Sequence, residues 1–395
     1  MTVHEFLTAH NAAPEQIDAA ESLSALLEDM ALGLSGRGNI PMLPSYLTPD
    51  ISVAPGDRCC VLDAGGTNLR TALAVFEGDG SCRLEGLEKI PVPGTEGELS
   101  FGQFYEALAK PLRKLGHFDR VGFCFSYNMT MDRSLDGPLD FWCKEVQVPE
   151  AVGRPVGASL QAALGSDCHR IHVLNDSVAA MLGAGDVQAG IILGTGVNVC
   201  YTEACQNIPK IKETLHADAM IISTEVGEFS RLPKSDFERF VIETSDAPGN
   251  AHAEKQCAGG YLGQIITRAW NAAAREGLLD ESFREGSWDL ARISQALEVG
   301  SLPAAAEEIA RATIQRAAKI AAILCAGPIC RLPRQQEAVK IAMEGSQYWK
   351  LTGFREYFHR ELDALLSPEG ISYAIVKSEN TCLVGAARAA FAETM

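Results

Sequence analysis

Val61-Leu62-Asp63-Ala64-Gly65-Gly66-Thr67-Asn68-Leu69-Arg70 is the stretch on which the fold turns. An apolar run from Cys59 to Leu62 leads in, a turn follows at Asp63–Thr67, and Leu69 to Phe76 leads out as a second apolar run. Strand, glycine turn, strand predicts a hairpin, not the strand-to-helix step of a dinucleotide fold. Two adjacent glycines let the backbone approach a bulky anion, and their N–H groups can share one concavity. Thr67 adds a hydroxyl donor, and Asp63 at the strand end suits a magnesium ion held through water. Standing alone, the segment is better read as a hairpin with a capping aspartate.

It does not stand alone. Ile192-Leu193-Gly194-Thr195-Gly196-Val197-Asn198 has the same shape, with an apolar strand on either side of Gly-Thr-Gly. Two such hairpins, each opening a similar run of elements, predict two phosphate-gripping turns that face one nucleotide across a cleft. A Walker loop and a GxGxxG before a helix are both absent from the sequence. Between the hairpins lies Val173-Leu174-Asn175-Asp176-Ser177, an apolar strand end followed by a small-residue helix. By itself Asp176 reads as a helix cap. Flanked by two phosphate hairpins, it reads as the general base for a substrate hydroxyl.

Around these segments the periodicity predicts an ordered series. Residues 1–35 read as largely helical on the spacing of Leu23, Leu26, Leu27, Met30 and Leu34, and 36–56 as an irregular link. A strand at 87–92, a helix at 101–115, a strand at 120–127, a helix at 151–163, a strand at 171–174 and a helix at 177–183 complete a first unit. The order restarts with strands at 189–193 and 197–203. A single amphipathic helix is expected over 250–277, an Ala-rich helix over 303–327, a strand at 339–343, a helix at 354–366, a strand at 371–376 and a helix at 381–394. The duplication is one of element order, since no sequence repeat is detectable.

Composition bounds the reading. With 395 residues, two domains or one duplicated unit are expected. A net charge of −17 argues against a nucleic-acid-binding surface and against adhesion to anionic membranes. The longest uncharged run, Val187 to Thr202, is glycine-bearing and short of a membrane span. No basic segment followed by an apolar run opens the chain, so no secretory leader is expected. The twelve cysteines then read as free thiols of a cytoplasmic protein, without ligand spacing for zinc.

Together LDAGGTNLR, GFCFSYN with WCK, LNDSVAA, LGTGVNVCYTE, STEVGEF, PGNAHAEKQCAGGYLG and AMEGSQYWK resemble the hexokinase family of the actin-like ATPase and sugar-kinase superfamily, in that family's order. The resemblance spans residues 57 to 391 and points to a single-unit, bacterial-type member. It implies an α/β fold of two domains in the duplicated ribonuclease H-like, actin-like ATPase arrangement, with a cleft between them. The expected division is 57–174 plus a C-terminal helix at 380–395 as the small domain and 175–379 as the large one, with 1–56 packing on the latter. It implies ATP and Mg2+ as cosubstrate and cofactor, and a hexose, most simply glucose, phosphorylated at its 6-hydroxyl. The same resemblance gives Asp176 as base, with Lys144 assisting. Ser126, Cys143, Lys144, Asn175, Asn198, Glu225 and Glu254 match the sugar-lining positions. Asp63, Gly65, Gly66, Thr67, Asn68, Arg70, Thr195 and Gly196 match the phosphate and metal positions, and Gly345 and Ser346 the adenosine segment. The expected assembly is a monomer or homodimer. A kinase for another hexose or amino sugar, and a sugar sensor that has lost turnover, are the alternatives on the same fold.

The residue types fit a sugar independently. A buried hydroxyl left unpaired costs ~1–3 kcal/mol, so a hexose needs several fixed polar partners. Glu225 and Glu254 are acceptors, Asn175 and Asn198 serve both ways, and Lys144 donates. Singly, each reads as an ordinary loop acid, helix-start acid or snorkelling lysine. The sequence departs from the family at Cys143, Asn128, Val226, Gly260 and Glu344. Cys143 is expected to weaken one sugar contact, and Gly260 to loosen its helix.

Overall fold

The computed structural model describes every residue except 67, 117, 143–145, 166–167, 213–214, 335 and 394. The chain opens with α1 (Val3–Ala9) and α2 (Ala19–Leu34), then β1 (Leu43–Pro44). A first run follows: β2 (Arg58–Ala64), β3 (Asn68–Phe76), β4 (Cys82–Pro91), α3 (Phe101–Arg113), β5 (Arg120–Phe125), β6 (Asn128–Met129), β7 (Leu139–Phe141), α4 (Val156–Leu164), β8 (Arg170–Leu174) and α5 (Asp176–Ala184). The second comprises β9 (Ala189–Leu193), β10 (Val197–Ala204), β11 (Ala219–Ser223), α6 (Asp236–Glu243), α7 (His252–Cys257), α8 (Gly259–Arg275), α9 (Leu290–Val299), α10 (Ala304–Arg331), β12 (Val339–Glu344), α11 (Ser346–Lys350), α12 (Phe354–Leu366), β13 (Tyr373–Val376) and α13 (Thr381–Ala389).

The duplication is visible in the sheets. One has the order β4-β3-β2-β5-β8 and the other β11-β10-β9-β12-β13, with β1 added at the edge beside β11. In each, the first three strands pair antiparallel and the last two join in parallel. The same sequence of hairpin, crossover and crossover therefore builds both halves, as the order of elements predicts.

Burial follows position. Central β2 is apolar and buried along nearly its whole length, whereas edge strand β4 alternates and is largely exposed. Ser100 caps α3 and Ser235 caps α6, each in a reciprocal pair with the residue three positions on, Gln103 and Glu238. The Ala-rich α10 is buried on most faces, and α1, α2, α8 and α12 pack against it. It runs to Arg331, past Pro328 and beyond the expected end.

The two helices that leave the parallel edges change sides. α5 follows β8 yet packs on β9, β10 and β12, and α13 follows β13 yet packs on β2, β5 and β8. They lie against each other where they cross. Small residues allow that crossing: a Cβ on Gly385 would fall 1.8 Å from the Ala179 carbonyl oxygen, and one on Gly183 1.9 Å from that of Thr381.

Two expectations need correction. The region 250–277 is not one helix but α7 and α8, broken at Ala258, whose backbone is extended at φ −76° and ψ 153°. The break lets the Gly259 and Gly260 amides donate to the Gly194 and Thr195 carbonyls at 2.8 and 3.0 Å. A continuous helix would spend those amides internally. The final helix ends at Ala389, short of the expected 394. Helices α6 and α9 lie in stretches for which the sequence reading named no element. Among the described residues, no helix is long and apolar enough to cross a membrane.

Candidate active site

The two glycine hairpins and the strand-end aspartate line one cavity of about 780 Å³. Asp63, Gly65, Gly66 and Arg70 come from the β2–β3 hairpin, Thr195, Gly196, Val197 and Asn198 from β9–β10, and Asn175 and Asp176 from the β8–α5 junction. Ser126, Glu225 and Glu254 line the same space.

The β8–α5 junction answers the capping question raised by the sequence. Asn175 is the cap: its Oδ1 accepts from the Ser177 amide at 2.9 Å and from the Ser177 hydroxyl at 2.7 Å. Asp176 is the first residue of the helix, and its carboxylate is not used for the cap. Gly190, opposite, has no room for a Cβ, which would sit 2.6 Å from the Ser177 carbonyl oxygen. That close approach holds the start of α5 against the second hairpin.

Glu225 and Asn198 form a linked pair on the neighbouring wall. Asn198 Nδ2 donates to Glu225 Oε1 at 2.6 Å, the Ser223 hydroxyl donates to the same oxygen at 3.2 Å, and the Glu225 amide donates to Asn198 Oδ1 at 3.0 Å. The Glu225 backbone is left-handed, at φ 56°, which turns its side chain back over β11. Burial pushes the Glu225 carboxyl up to about 7, and the charges of Asp176 and Glu254 act in the same direction. Three carboxylates thus face one small volume.

Glu254 stands in the first turn of α7, and its Oε2 accepts from the Val197 amide at 3.0 Å. The loop before α7 is held by Lys255, whose buried ammonium donates to the Ala247 and Asn250 carbonyls at 2.5 and 2.8 Å. Burial lowers the pKa of that lysine. The sequence reading passed over Lys255, and its position next to Glu254 was the available signal. Tyr127 was passed over likewise; its hydroxyl donates to the Gly65 carbonyl at 2.9 Å and fixes the first turn.

Asp63 and Arg70 are directly opposite in the β2–β3 register. Arg70 grips Asp63 Oδ2 through Nε at 2.8 Å and Nη2 at 2.5 Å, and reaches Asn380 Oδ1 at 3.4 Å. Burial pushes the Asp63 carboxyl up, and the arginine opposes that shift. Glu344 accepts from the Thr381 hydroxyl and also lines the cavity.

Not every expected residue lies on the wall. Asn68, Gly345 and Ser346 are outside the lining; Asn68 serves the first turn by accepting the Gly65 amide at 3.1 Å. Gly345 abuts the base of the second hairpin, where a Cβ would fall 2.1 Å from the Leu193 carbonyl oxygen. Thr67, Cys143 and Lys144 lie outside the described residues. Gly260 does not loosen its helix as expected. A Cβ there would sit 2.9 Å from the Thr195 carbonyl oxygen, so glycine is what permits the amide contact to the hairpin.

The described lining carries carboxylates at Asp63, Asp176, Glu225, Glu228, Asp246, Glu254 and Glu344 against cations at Arg70 and Lys255. Both cations are already engaged. Acidic side chains thus outnumber basic ones along the described lining, although among the described residues no group of three or more His, Cys, Asp or Glu is placed to hold a metal ion.

Comparison with known proteins bears on the family and the fold. Two models of the hexokinase family match the chain, one over residues 2–185 and the other over 188–302 and 289–392. Hexokinase-7 of Oryza sativa subsp. japonica is 29% identical over 90% of this chain and 89% of its own length. Hexokinase-2 of Solanum tuberosum is 27% identical over 90% and 84%. Among solved structures, the hexokinase from Schistosoma mansoni complexed with glucose shares the fold with a TM-score of 0.82 at 23% identity, covering 98% of each chain. A ROK family glucokinase from Streptomyces griseus in complex with glucose and AMPPNP aligns more distantly, with a TM-score of 0.52 at 19% identity over 85% of this chain and 99% of that one. With family models covering almost the whole length, two glycine hairpins converging on one cleft and a duplicated α/β topology, the chain belongs to the hexokinase family.

Proposed function

We propose that the protein transfers the γ-phosphoryl group of Mg-ATP to the 6-hydroxyl of a hexose, with glucose as the leading substrate. The observation that carries this reading is the shared cavity: Asp176 lies between the two glycine hairpins, beside Asn175, Asn198, Glu225 and Glu254. Complexes of the Schistosoma and Streptomyces proteins with glucose support the choice of sugar.

In this reading Asp176 accepts the proton of the attacking hydroxyl and orients its oxygen toward the phosphorus. Phosphoryl transfer passes through a loose transition state, so positioning and charge neutralisation carry most of the catalysis. Glu225, Asn198, Asn175 and Glu254 hold the remaining hydroxyls. Gly65, Gly66, Thr195 and Gly196 offer backbone amides to the phosphates. Asp63 would hold magnesium through water, with Arg70 released toward the phosphates. A divalent cation held there would supply neutralisation of the phosphate charge. Asn68, Thr67, Gly345 and Ser346 would complete the nucleotide site, and Ser126, Cys143 and Lys144 the sugar site.

The moving bodies proposed here are 57–174 with 380–395, and 175–379 with 1–56, closing over the sugar. Closure on a sugar excludes water, the competing acceptor. The protein is proposed to act in the cytoplasm as a monomer or homodimer, without nucleic-acid or membrane partners.

A coupled assay with a panel of hexoses and amino sugars and Mg-ATP tests the reading. Glucose should turn over with the highest kcat/KM, and Asp176→Ala should lower kcat by ~10²-fold or more while sugar binding persists. Turnover of another sugar alone, or none at all, overturns the assignment. A folded Asp176→Ala protein with more than about a tenth of normal activity removes Asp176 from the role of base.

A further inference from the structure

We propose that Glu254 is a positioning residue that couples the sugar end of the cleft to the phosphate end, so that a bound hexose sets the second glycine hairpin for the triphosphate. This rests on the sugar and phosphate assignments above and adds a connection between them.

Glu254 touches the hairpin, not only the cavity. Its Oε2 accepts the Val197 amide at 3.0 Å, and a Cβ on Gly196 would fall 2.5 Å from that same oxygen. The absent side chain of Gly196 is therefore the space the carboxylate occupies. On its other flank Glu254 is packed against Gly227, where a Cβ would come within 3.1 Å of the Glu254 Cβ. The carboxylate thus sits between two glycines, one on the sugar-side loop and one on the phosphate turn.

The segment that carries Glu254 is also tied to the hairpin through its backbone. The Gly259 and Gly260 amides donate to Gly194 and Thr195, the residues just before Gly196. Turn and carboxylate are held at two levels, so a shift of one is felt by the other. A carboxylate that receives an amide makes the kind of contact a phosphate oxygen would otherwise make. When sugar hydroxyls donate to Glu254, they compete with the Val197 amide for its charge. The hairpin amide then relaxes toward the incoming phosphate. Water cannot bind both Glu254 and its neighbours as a hexose does, so without sugar the turn stays held.

The test crosses the two ends of the cleft. Gly196→Ala lies on the phosphate turn, yet it should weaken glucose binding by nucleotide-free protein about tenfold, because its Cβ displaces the carboxylate. Tryptophan fluorescence or calorimetric titration reads this. Glucose affinity within about twofold of wild type in a folded Gly196→Ala protein overturns the proposal. The reverse arm uses Glu254→Asp without sugar, where the shorter side chain loses the Val197 amide, so the affinity for Mg-ATP should rise several-fold above that of the sugar-free wild type. Glu254→Gln keeps an accepting oxygen, so it should restore the weak sugar-free binding of Mg-ATP while glucose binding stays weak. An unchanged sugar-free affinity for Mg-ATP in Glu254→Asp, or no rescue by Glu254→Gln, also overturns it. A wild-type protein that binds and phosphorylates glucose but shows no cross effect defeats the coupling alone. A wild-type protein that does neither defeats the function itself.

Discussion

Glu225 holds its place at a cost that the pH dependence of stability should expose. Its carboxyl titrates near 7 in the folded protein, against 4.5 for an ordinary glutamate, because burial and then Asp176 and Glu254 disfavour its charge. A group whose folded pKa lies above its unfolded value stabilises fully below the unfolded pKa, and the contribution is lost as pH rises through the folded one. The sugar-free protein should therefore lose stability between about pH 4.5 and 7. Glu225→Gln removes the titration and keeps an oxygen for the Asn198 and Ser223 donors. Urea unfolding should find this variant more stable than wild type at pH 8, by on the order of 1–3 kcal/mol, and indistinguishable near pH 4. It should also bind glucose poorly, since the charged acceptor is gone. Equal stability at pH 8 would show that Glu225 is not strained by its neighbours. At this scale much was legible: the carboxylates and amides stand out against strand ends and glycine turns. The choice between Asn175 and Asp176 as cap was not, because both are good caps and only geometry separates them. The Asp63–Arg70 pair was equally hidden, since seven residues of separation say nothing until the hairpin register is known.

At the scale of elements, the glycine hairpins were readable because a Gly turn between apolar runs has few other meanings. The break between α7 and α8 was not. Apolar residues continue at helical spacing through Ala253, Cys257, Tyr261 and Ile265, and only the adjacent Gly259 and Gly260 mark the interruption. What decides it is tertiary: two hairpin carbonyls need donors, and the first amides of a new helix supply them. Gly260→Ala tests that account. Its Cβ would press on the Thr195 carbonyl oxygen at 2.9 Å and on Thr195 Cγ2 at 3.1 Å. The hairpin must yield, so the KM for ATP should rise several-fold, with a stability loss of ~1 kcal/mol. A steady-state ATP titration at saturating sugar measures it, and an unchanged KM would mean that the glycine serves only the helix start. Helices α6 and α9 were missed for a different reason. They are short, and their apolar stripes find partners only in the tertiary fold, α6 on α7, α8 and Phe6 of α1, and α9 on α8.

At the scale of the whole molecule, the element order announces the duplication, but nothing in the residue pattern announces the exchange of α5 and α13. Each helix leaves one sheet and packs against the other, and the contact that joins them relies on missing side chains at both faces. Gly385 is the sharpest case: a Cβ would lie 1.8 Å from the Ala179 carbonyl oxygen and 2.6 Å from its carbonyl carbon, both of them main-chain atoms of α5. No rotamer change relieves such a clash; the helices must separate. Gly122 restricts α13 from the sheet side in the same way, with a would-be Cβ 1.8 Å from the Ala386 carbonyl oxygen. Gly385→Ala should therefore cost at least ~2–3 kcal/mol, although alanine is the better helix former and would gain about 1 kcal/mol at an open site. Gly102→Ala supplies the comparison, because it lies in α3 with nothing within 4 Å of the added methyl. Thermal and urea unfolding should show Gly102→Ala at or above wild type and Gly385→Ala well below it. Because α13 also brings Asn380 to Arg70 and Thr381 to Glu344, the loss should extend to a lower kcat at temperatures where the variant is still folded. If Gly385→Ala matched wild type in both stability and turnover, the crossing would not be the rigid contact between the halves that these distances describe.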